Sequence, residues 1–189
     1  MNHIRSVVAV LATAAISATG LVASTAAGTT TAAGATACPT RWGSLPEAST
    51  RTTTASLTNI RAGRHDCFDR LVFDLNGRPA GYRVGYVRTM YADASGAVVP
   101  LRGGAKLRIV LTAPAYDPAT GRSTYSPANP RELVNVTGYR TFRQVAWAGS
   151  FEGYTTIGLG VRARLPFRVF TLAGPGTGSR IVVDVAHTW

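Results

Sequence analysis

From Leu57 onward, apolar and polar positions alternate along short segments that turn residues separate from one another. In the segment 71–75, for example, every second side chain is large and apolar. A period of two is typical of strands that bury one face and expose the other. The segments predicted as strands are Leu57–Ile60, Leu71–Leu75, Tyr82–Tyr86, Val98–Leu101, Leu107–Thr112, Leu133–Thr137, Phe142–Trp147, Thr155–Val161, Phe167–Leu172 and Ile181–Ala186.

Dipeptides that favour short turns, such as Asn76-Gly77 and Gly103-Gly104, separate several of these segments. No window of the chain shows a sustained helical period. Many short strands without intervening helices predict an all-β domain, either an antiparallel β-sandwich or a small barrel of about eight to ten short strands. The connection Ala113–Arg131 is too long for a plain turn and contains four prolines, so we expect it to be functional or mobile.

The N-terminal residues have the order of a secretory signal peptide: a basic start, an apolar centre and a run of small residues. We expect the signal peptide to occupy residues 1–27, a low-complexity and irregular lead-in residues 28–56, and one β domain residues 57–189. No stretch of the mature chain is long and apolar enough for a transmembrane segment. The sequence therefore predicts an exported protein that is secreted or associated with the cell envelope.

Two cysteines, Cys38 and Cys67, lie in the exported part of the chain. An even number of cysteines in an oxidising compartment favours one disulfide, which would tie the lead-in to the loop before the Leu71 segment. The alternative is a lipid anchor on Cys38 after cleavage at Ala37. A lipid anchor is the weaker interpretation, because Ala35 stands where a lipoprotein signal usually has leucine.

The chain is strongly basic, with 20 lysine and arginine residues against nine acidic residues. Such a domain is attracted to polyanions, including the anionic polymers of a cell wall. The arginines are scattered singly along the predicted strands and form no run. We therefore expect a general attraction to an anionic envelope polymer and no dedicated nucleic-acid site.

The densest group of chemically active side chains is His65, Asp66, Asp69 and Arg70, just before the Leu71 segment. One imidazole and two carboxylates so close together could contact a ligand, bind a metal or perform acid–base chemistry. The competing interpretation is structural, with the carboxylates bonded to loop amides or to an arginine. A metal site would need a further ligand, and His187 is the remaining histidine of the mature chain.

A second group lies at a predicted turn, where Trp147, Phe151 and Tyr154 surround Glu152. With Arg143 nearby, these aromatic faces and polar groups are suited to sugar rings, which have apolar C–H faces and hydroxyl edges. The alternative is that the rings cap the domain core.

Three motifs in this order resemble the AMIN-like domain of exported actinobacterial proteins and lipoproteins. They are Arg64–Asp66 with Phe68–Phe73, then Gly81–Val84, and finally Arg180–His187. The resemblance covers the chain from about Leu57 to its end. The related AMIN domains are small β-sandwiches without catalytic activity, which place amidases and secretins by binding peptidoglycan. Cys67 stands where a small residue is more usual in the family.

The leading hypothesis is therefore a non-catalytic envelope module that binds peptidoglycan or an anionic wall polymer, with no cofactor, no metal and no catalytic residue. One alternative is a metal-assisted hydrolase that uses His65, Asp66 and Asp69. A second alternative is a carrier of apolar ligands, which would need an internal cavity.

Overall fold

The computed structural model describes Cys38 and residues 41–189, which form nine β-strands and no helix. The predicted signal peptide and residues 28–37 of the predicted lead-in lie outside the described residues. The strands are β1 (Glu47–Ser49), β2 (Leu57–Arg64), β3 (Phe68–Leu75), β4 (Tyr82–Val87), β5 (Ala105–Leu111), β6 (Phe142–Phe151), β7 (Tyr154–Val161), β8 (Phe167–Ala173) and β9 (Ser179–Ala186).

The strands form two antiparallel sheets that pack face to face. One sheet has five strands in the order β1-β4-β5-β7-β6, and the other has four in the order β2-β3-β9-β8. Neither sheet closes on itself, so the predicted all-β fold is confirmed as a β-sandwich, and the small barrel is the wrong alternative.

The core lies between the sheets and follows directly from the period-two pattern. In β3, Leu71, Phe73 and Leu75 face inward and are almost inaccessible to solvent. Leu71 is paired with Val183 and Phe73 with Ile181 of β9, whose inward positions are buried as well. Burying a side chain of this size stabilises a fold by about 1.5–3 kcal/mol, so these alternating positions supply much of the driving force for folding.

The predicted strand Val98–Leu101 is wrong. Val98 makes only an isolated bridge to Tyr91, and the segment lies across the outer face of β7. At Gly160 of β7, a Cβ atom would overlap the carbonyl oxygen of Arg102. The two outward glycines of β7, Gly158 and Gly160, therefore leave room for the covering segment, whose apolar side chains need a surface to pack on.

The predicted strand Leu133–Thr137 is also wrong. The chain borders β6 through two backbone bonds only, from Leu133 N to the carbonyl of Val145 (2.8 Å) and from Trp147 N to that of Pro130 (2.7 Å). The segment then turns, because the Asn135 side-chain oxygen accepts the Thr137 amide at 2.9 Å. An asparagine side chain that captures a local amide competes with the ladder of a strand.

Two segments for which the sequence predicts no strand also pack against the sandwich in a defined way. The predicted irregular lead-in contains β1, which pairs with the edge of β4 through Glu47 and Val84. The long connection Ala113–Arg131 inserts Ala113 and Ala115 into the core. It therefore packs against one end of the sandwich.

Candidate functional site

The outer face of the five-stranded sheet carries a groove with a volume of about 650 Å³. Its floor is formed by outward side chains of β4, β5 and β7, and the turn between β6 and β7 forms one wall. Asp93 and Ala94, from the segment between β4 and β5, also line it. The groove is open to solvent, so an extended ligand can lie in it without a change of backbone conformation.

Phe151 and Tyr154 are the last residue pair of the β6–β7 hairpin, and both line the groove. Their side chains remain 51% and 45% exposed and lie side by side at the hairpin, so they form a continuous aromatic surface next to the groove. The two turn residues between them, Glu152 and Gly153, both have positive φ angles (49° and 82°), as a tight hairpin turn requires. The Tyr116 hydroxyl accepts a hydrogen bond from the Gly153 amide (3.1 Å) and so supports the turn from behind.

The floor of the groove combines apolar and polar side chains. Arg83, Val110 and Thr156 are register partners on β4, β5 and β7, so they form one row across the sheet. The guanidinium of Arg83 makes no hydrogen bond with any of the described residues, and neither does the buried hydroxyl of Thr156. A buried hydroxyl without a partner is uncommon, and polar groups of this kind are a usual feature of ligand sites.

Charges of both signs border this floor. Arg108 Nη2 lies 3.4 Å from Asp93 Oδ1, and Glu152 is exposed at the turn. Glu47 of β1 adds no free carboxylate to the floor, because it accepts the amide of Val169 in the opposite sheet (3.0 Å). Burial raises the pKa of Glu47, and this hydrogen bond acts in the opposite direction. The groove therefore offers cationic and anionic groups to a ligand that has both hydrogen-bond donors and acceptors.

The first predicted group, His65, Asp66, Asp69 and Arg70, lies at the β2–β3 hairpin, on the other sheet. The predicted disulfide between Cys38 and Cys67 is present, with 5.3 Å between the Cα atoms. His65 is exposed, and its ring stacks on that of Phe68 with 4.4 Å between the centroids. Asp66 is exposed as well, and its carbonyl oxygen accepts a hydrogen bond from Arg140 (3.3 Å).

Asp69, by contrast, is completely buried. Its Oδ2 accepts the amides of Thr141 (2.6 Å) and Phe142 (3.0 Å), and its Oδ1 lies 3.1 Å from His187 Nε2. Arg70 points to the outer face of the sheet and forms an ion pair with Asp184. The charged residues of the hairpin therefore lie in different environments and form no common site. The Asp69 carboxylate already accepts hydrogen bonds from other groups of the protein.

A family model described as AMIN-like domain matches residues 55–187, which is more than half of the chain. The chain belongs to the AMIN-like domain family. This confirms the resemblance to the AMIN-like domain that the three sequence motifs indicated. No curated protein and no solved structure matches the chain.

The AMIN-like domain brings together only part of the second predicted group. Phe151, Glu152 and Tyr154 line the groove. Trp147 packs against Tyr125 with 5.7 Å between the ring centroids and is half-buried beside the core. Arg143 donates to backbone carbonyls, among them that of Phe142 at 2.9 Å, and does not line the groove. Three of the five predicted side chains therefore belong to one surface.

Among the described residues of the AMIN-like domain, no group of three His, Cys, Asp or Glu side chains is arranged to hold a metal ion. His187 does meet the β2–β3 hairpin, but its ring nitrogens face Asp69 and the carbonyl oxygen of Asp66. No helix in the described part of the chain is long and apolar enough to cross a membrane.

Sequence reasoning missed the floor of the groove. Arg83, Arg108 and Val110 each stand between inward apolar neighbours, and this parity predicts an outward direction. What the pattern lacks is the adjacency of β4, β5 and β7, since β5 and β7 are separated by more than 40 residues along the chain. The alternation along each strand therefore predicts that these side chains point outward. It does not predict that they lie next to one another on a common surface.

Proposed function

We propose that this AMIN-like domain is a non-catalytic module of the cell envelope that binds the glycan of peptidoglycan in the groove of the five-stranded sheet. The observation that supports this most directly is the exposed pair Phe151 and Tyr154 at the groove wall. The AMIN-like family is generally associated with peptidoglycan-binding envelope modules, and its members are typically non-catalytic.

The chemistry of the groove suits a sugar polymer. The faces of Phe151 and Tyr154 can pack against the C–H faces of successive sugar rings, which removes apolar surface from water on both sides. Asp93 and Glu152 can accept hydrogen bonds from hydroxyl and amide groups, and Arg83 can donate to carboxylates of the attached peptides. An open groove also allows a long polymer to enter from the side and not from an end.

The same proposal places the domain outside the cytoplasm, with residues 1–27 as its signal peptide. The disulfide Cys38–Cys67 supports this placement, because disulfides persist in oxidising compartments. A sulfur atom in a disulfide is not free to form a thioether with a lipid. The disulfide form therefore argues against the lipid anchor on Cys38.

The two alternative functions have less support. A metal-assisted hydrolase would need the carboxylate of Asp69, which is buried and already bonded to two amides and an imidazole. A carrier of apolar ligands would need space between the sheets, where the inward side chains of both sheets form one continuous core. We therefore propose neither.

Retention on purified sacculi tests the proposal. The sacculi are first stripped of anionic polymers, and the assay is run at about 0.15 M salt, where the Debye length is about 8 Å and distant charges are screened. The double variant F151A/Y154A should bind at least tenfold more weakly than the natural protein, because truncation of the aromatic residues that dominate a binding surface costs about 2 kcal/mol or more and about 1.4 kcal/mol is a factor of ten.

The matched control is Trp189→Ala, which removes an aromatic side chain that is 71% exposed and does not line the groove. This variant should bind sacculi as the natural protein does. Unchanged binding by the double variant would remove the groove from the proposal, and equal losses in both variants would indicate nonspecific apolar adhesion.

A further inference from the structure

The outer face of the four-stranded sheet has a row of three charged side chains. Arg70 of β3 and Arg168 of β8 are the register partners of Asp184 on β9. Arg70 donates from Nε to Oδ1 (2.7 Å) and from Nη2 to Oδ2 (2.9 Å), and Arg168 donates from Nε to Oδ2 (2.8 Å). Asp184 is inaccessible to solvent, whereas the two arginine side chains are 25% and 40% exposed. The charge presented to solvent is therefore positive.

Three aromatic rings fix the two guanidinium groups on this face. Arg168 Cζ lies 4.2 Å from the centroid of the Trp42 ring and 5.1 Å from that of Phe170. Arg70 Cζ lies 5.1 Å from the Phe68 centroid and 5.4 Å from that of Phe170. Arginines held by cation–π contacts and a carboxylate have little conformational freedom left to lose when a ligand binds.

Each of the two guanidinium groups keeps donors for a further partner. Asp184 accepts hydrogen bonds from Nε and Nη2 of Arg70 and from Nε of Arg168, and Arg168 Nη2 lies 2.8 Å from its Oδ2. The Nη1 groups of both arginines make no hydrogen bond with the described residues. The planar guanidinium, with donors at fixed positions, matches the paired oxygens of a phosphate group. The row is therefore suited to phosphate, and its donors are already oriented.

The neighbouring rows extend the positive charge along the strands. Arg61 of β2 and Arg180 of β9 lie on the same outer face, two and four residues from the central row. The one further carboxylate that the described strands place on this face is that of Asp74, which Arg61 Nε contacts at 2.9 Å. The face therefore has four arginines and two carboxylates, and a polymer with repeated negative charges can follow them.

We propose that this face is a second binding site, which takes a linear phosphodiester polymer of the cell wall and works independently of the groove on the opposite sheet. The site goes beyond the proposed glycan function, and only its assignment to a wall polymer rests on the proposed place of the domain in the cell envelope. A single chain would then contact two wall polymers with its two outer faces, the neutral glycan on one and the phosphate polymer on the other.

The variant Arg168→Gln tests the site, measured by titration with poly(glycerol phosphate) across a range of salt concentrations. Because Arg70 still neutralises Asp184, the variant should fold, and a thermal unfolding curve checks this. Affinity should fall about tenfold. The slope of log K against log salt is negative, and it should become less steep by about one. Arg122→Gln is the matched control, since it removes the same charge at an exposed position that lies outside both the groove and the row.

A second variant, Arg168→Lys, keeps the charge and removes the planar group. It should also lose most of the affinity if the site recognises phosphate through the guanidinium. Equal losses in Arg168→Gln and Arg122→Gln, or full affinity in Arg168→Lys, would overturn the site and leave general charge attraction. Tighter binding of single-stranded DNA than of poly(glycerol phosphate) would overturn the proposed ligand class.

Binding to stripped sacculi separates the two proposals. Arg168→Gln should bind them as the natural protein does, because the phosphate polymer is absent. Loss of sacculus binding in this variant would contradict the independence of the two faces, whatever the result for F151A/Y154A.

Discussion

His187 Nε2 lies 3.1 Å from Asp69 Oδ1 in the buried part of the sandwich, where the end of β9 meets the start of β3 and β6. His187 Nδ1 lies 3.1 Å from the carbonyl oxygen of Asp66. Both ring nitrogens thus lie within hydrogen-bonding distance of oxygen atoms of the protein. Asp69 and His187 therefore join three parts of the chain that are distant in sequence.

Removal of the Asp69 carboxylate should be severely destabilising. In Asp69→Ala, the buried amides of Thr141 and Phe142 lose their acceptor, and His187 loses its partner. Each buried donor without a partner costs about 1–3 kcal/mol, so we expect a loss of at least about 3 kcal/mol in the free energy of unfolding by urea.

Asp74→Ala is the control for this measurement, since the Asp74 carboxylate pairs with Arg61 at the surface. Surface ion pairs contribute about 0–1 kcal/mol, so the control should remain close to the natural protein. A loss of less than 1 kcal/mol in Asp69→Ala would contradict the structural role of this carboxylate.

Gly160 should be intolerant of any side chain. A methyl group there would overlap the carbonyl oxygen of Arg102, which belongs to the backbone and cannot rotate away. We expect Gly160→Ala to reduce the free energy of unfolding by about 1–3 kcal/mol, the usual range for overpacking. At Gly63 in β2, the nearest atom to an added methyl group lies 3.8 Å away, so Gly63→Ala should be nearly neutral. Equal effects of the two substitutions would contradict the close approach of the Arg102 carbonyl oxygen to Gly160.

The alternation of inward and outward side chains along a strand explains which features of the site were predictable from the sequence and which prediction was wrong. Asp69 has the same parity as the inward residues Leu71 and Phe73, so the pattern already placed it in the interior. Grouping it with Asp66 and Arg70 as one surface patch followed nearness in sequence and ignored that alternation. The disulfide was predictable because two cysteines leave a single pairing.

The groove shows the opposite case. The hairpin turn at Glu152 and Gly153 has a local signal in its glycine and flanking aromatics. The floor depends on β4, β5 and β7 being neighbours, and pairings between distant segments leave no local signal in the sequence. The tertiary arrangement also decided that Trp147 packs against Tyr125 and not beside Phe151.

The disulfide should contribute substantially to stability. It closes a loop of 29 residues, for which the chain-entropy model gives about 3.5 kcal/mol. The double variant C38S/C67S should therefore unfold at a lower urea concentration, with a somewhat steeper slope because its unfolded chain is less compact. The natural protein treated with reductant should approach the behaviour of the variant. If reductant shifts the variant as much as the natural protein, the effect does not come from the disulfide.

Glu47 should make stability depend on pH in a defined direction. Burial raises the pKa of this carboxyl above its ordinary value of 4.5, so the folded protein binds the proton more tightly than the unfolded chain does. Its contribution to stability is therefore most favourable at low pH and declines as pH rises from about 4.5 through the raised pKa.

Glu47→Gln removes this titration and keeps an acceptor for the Val169 amide. The variant should have a higher Tm than the natural protein at pH 7, and the difference should vanish below pH 4.5. Glu152→Gln makes the same chemical change at an exposed position and is the control for the substitution itself. A Tm difference for Glu47→Gln that is the same at every pH would show that burial of the charge is not its cause.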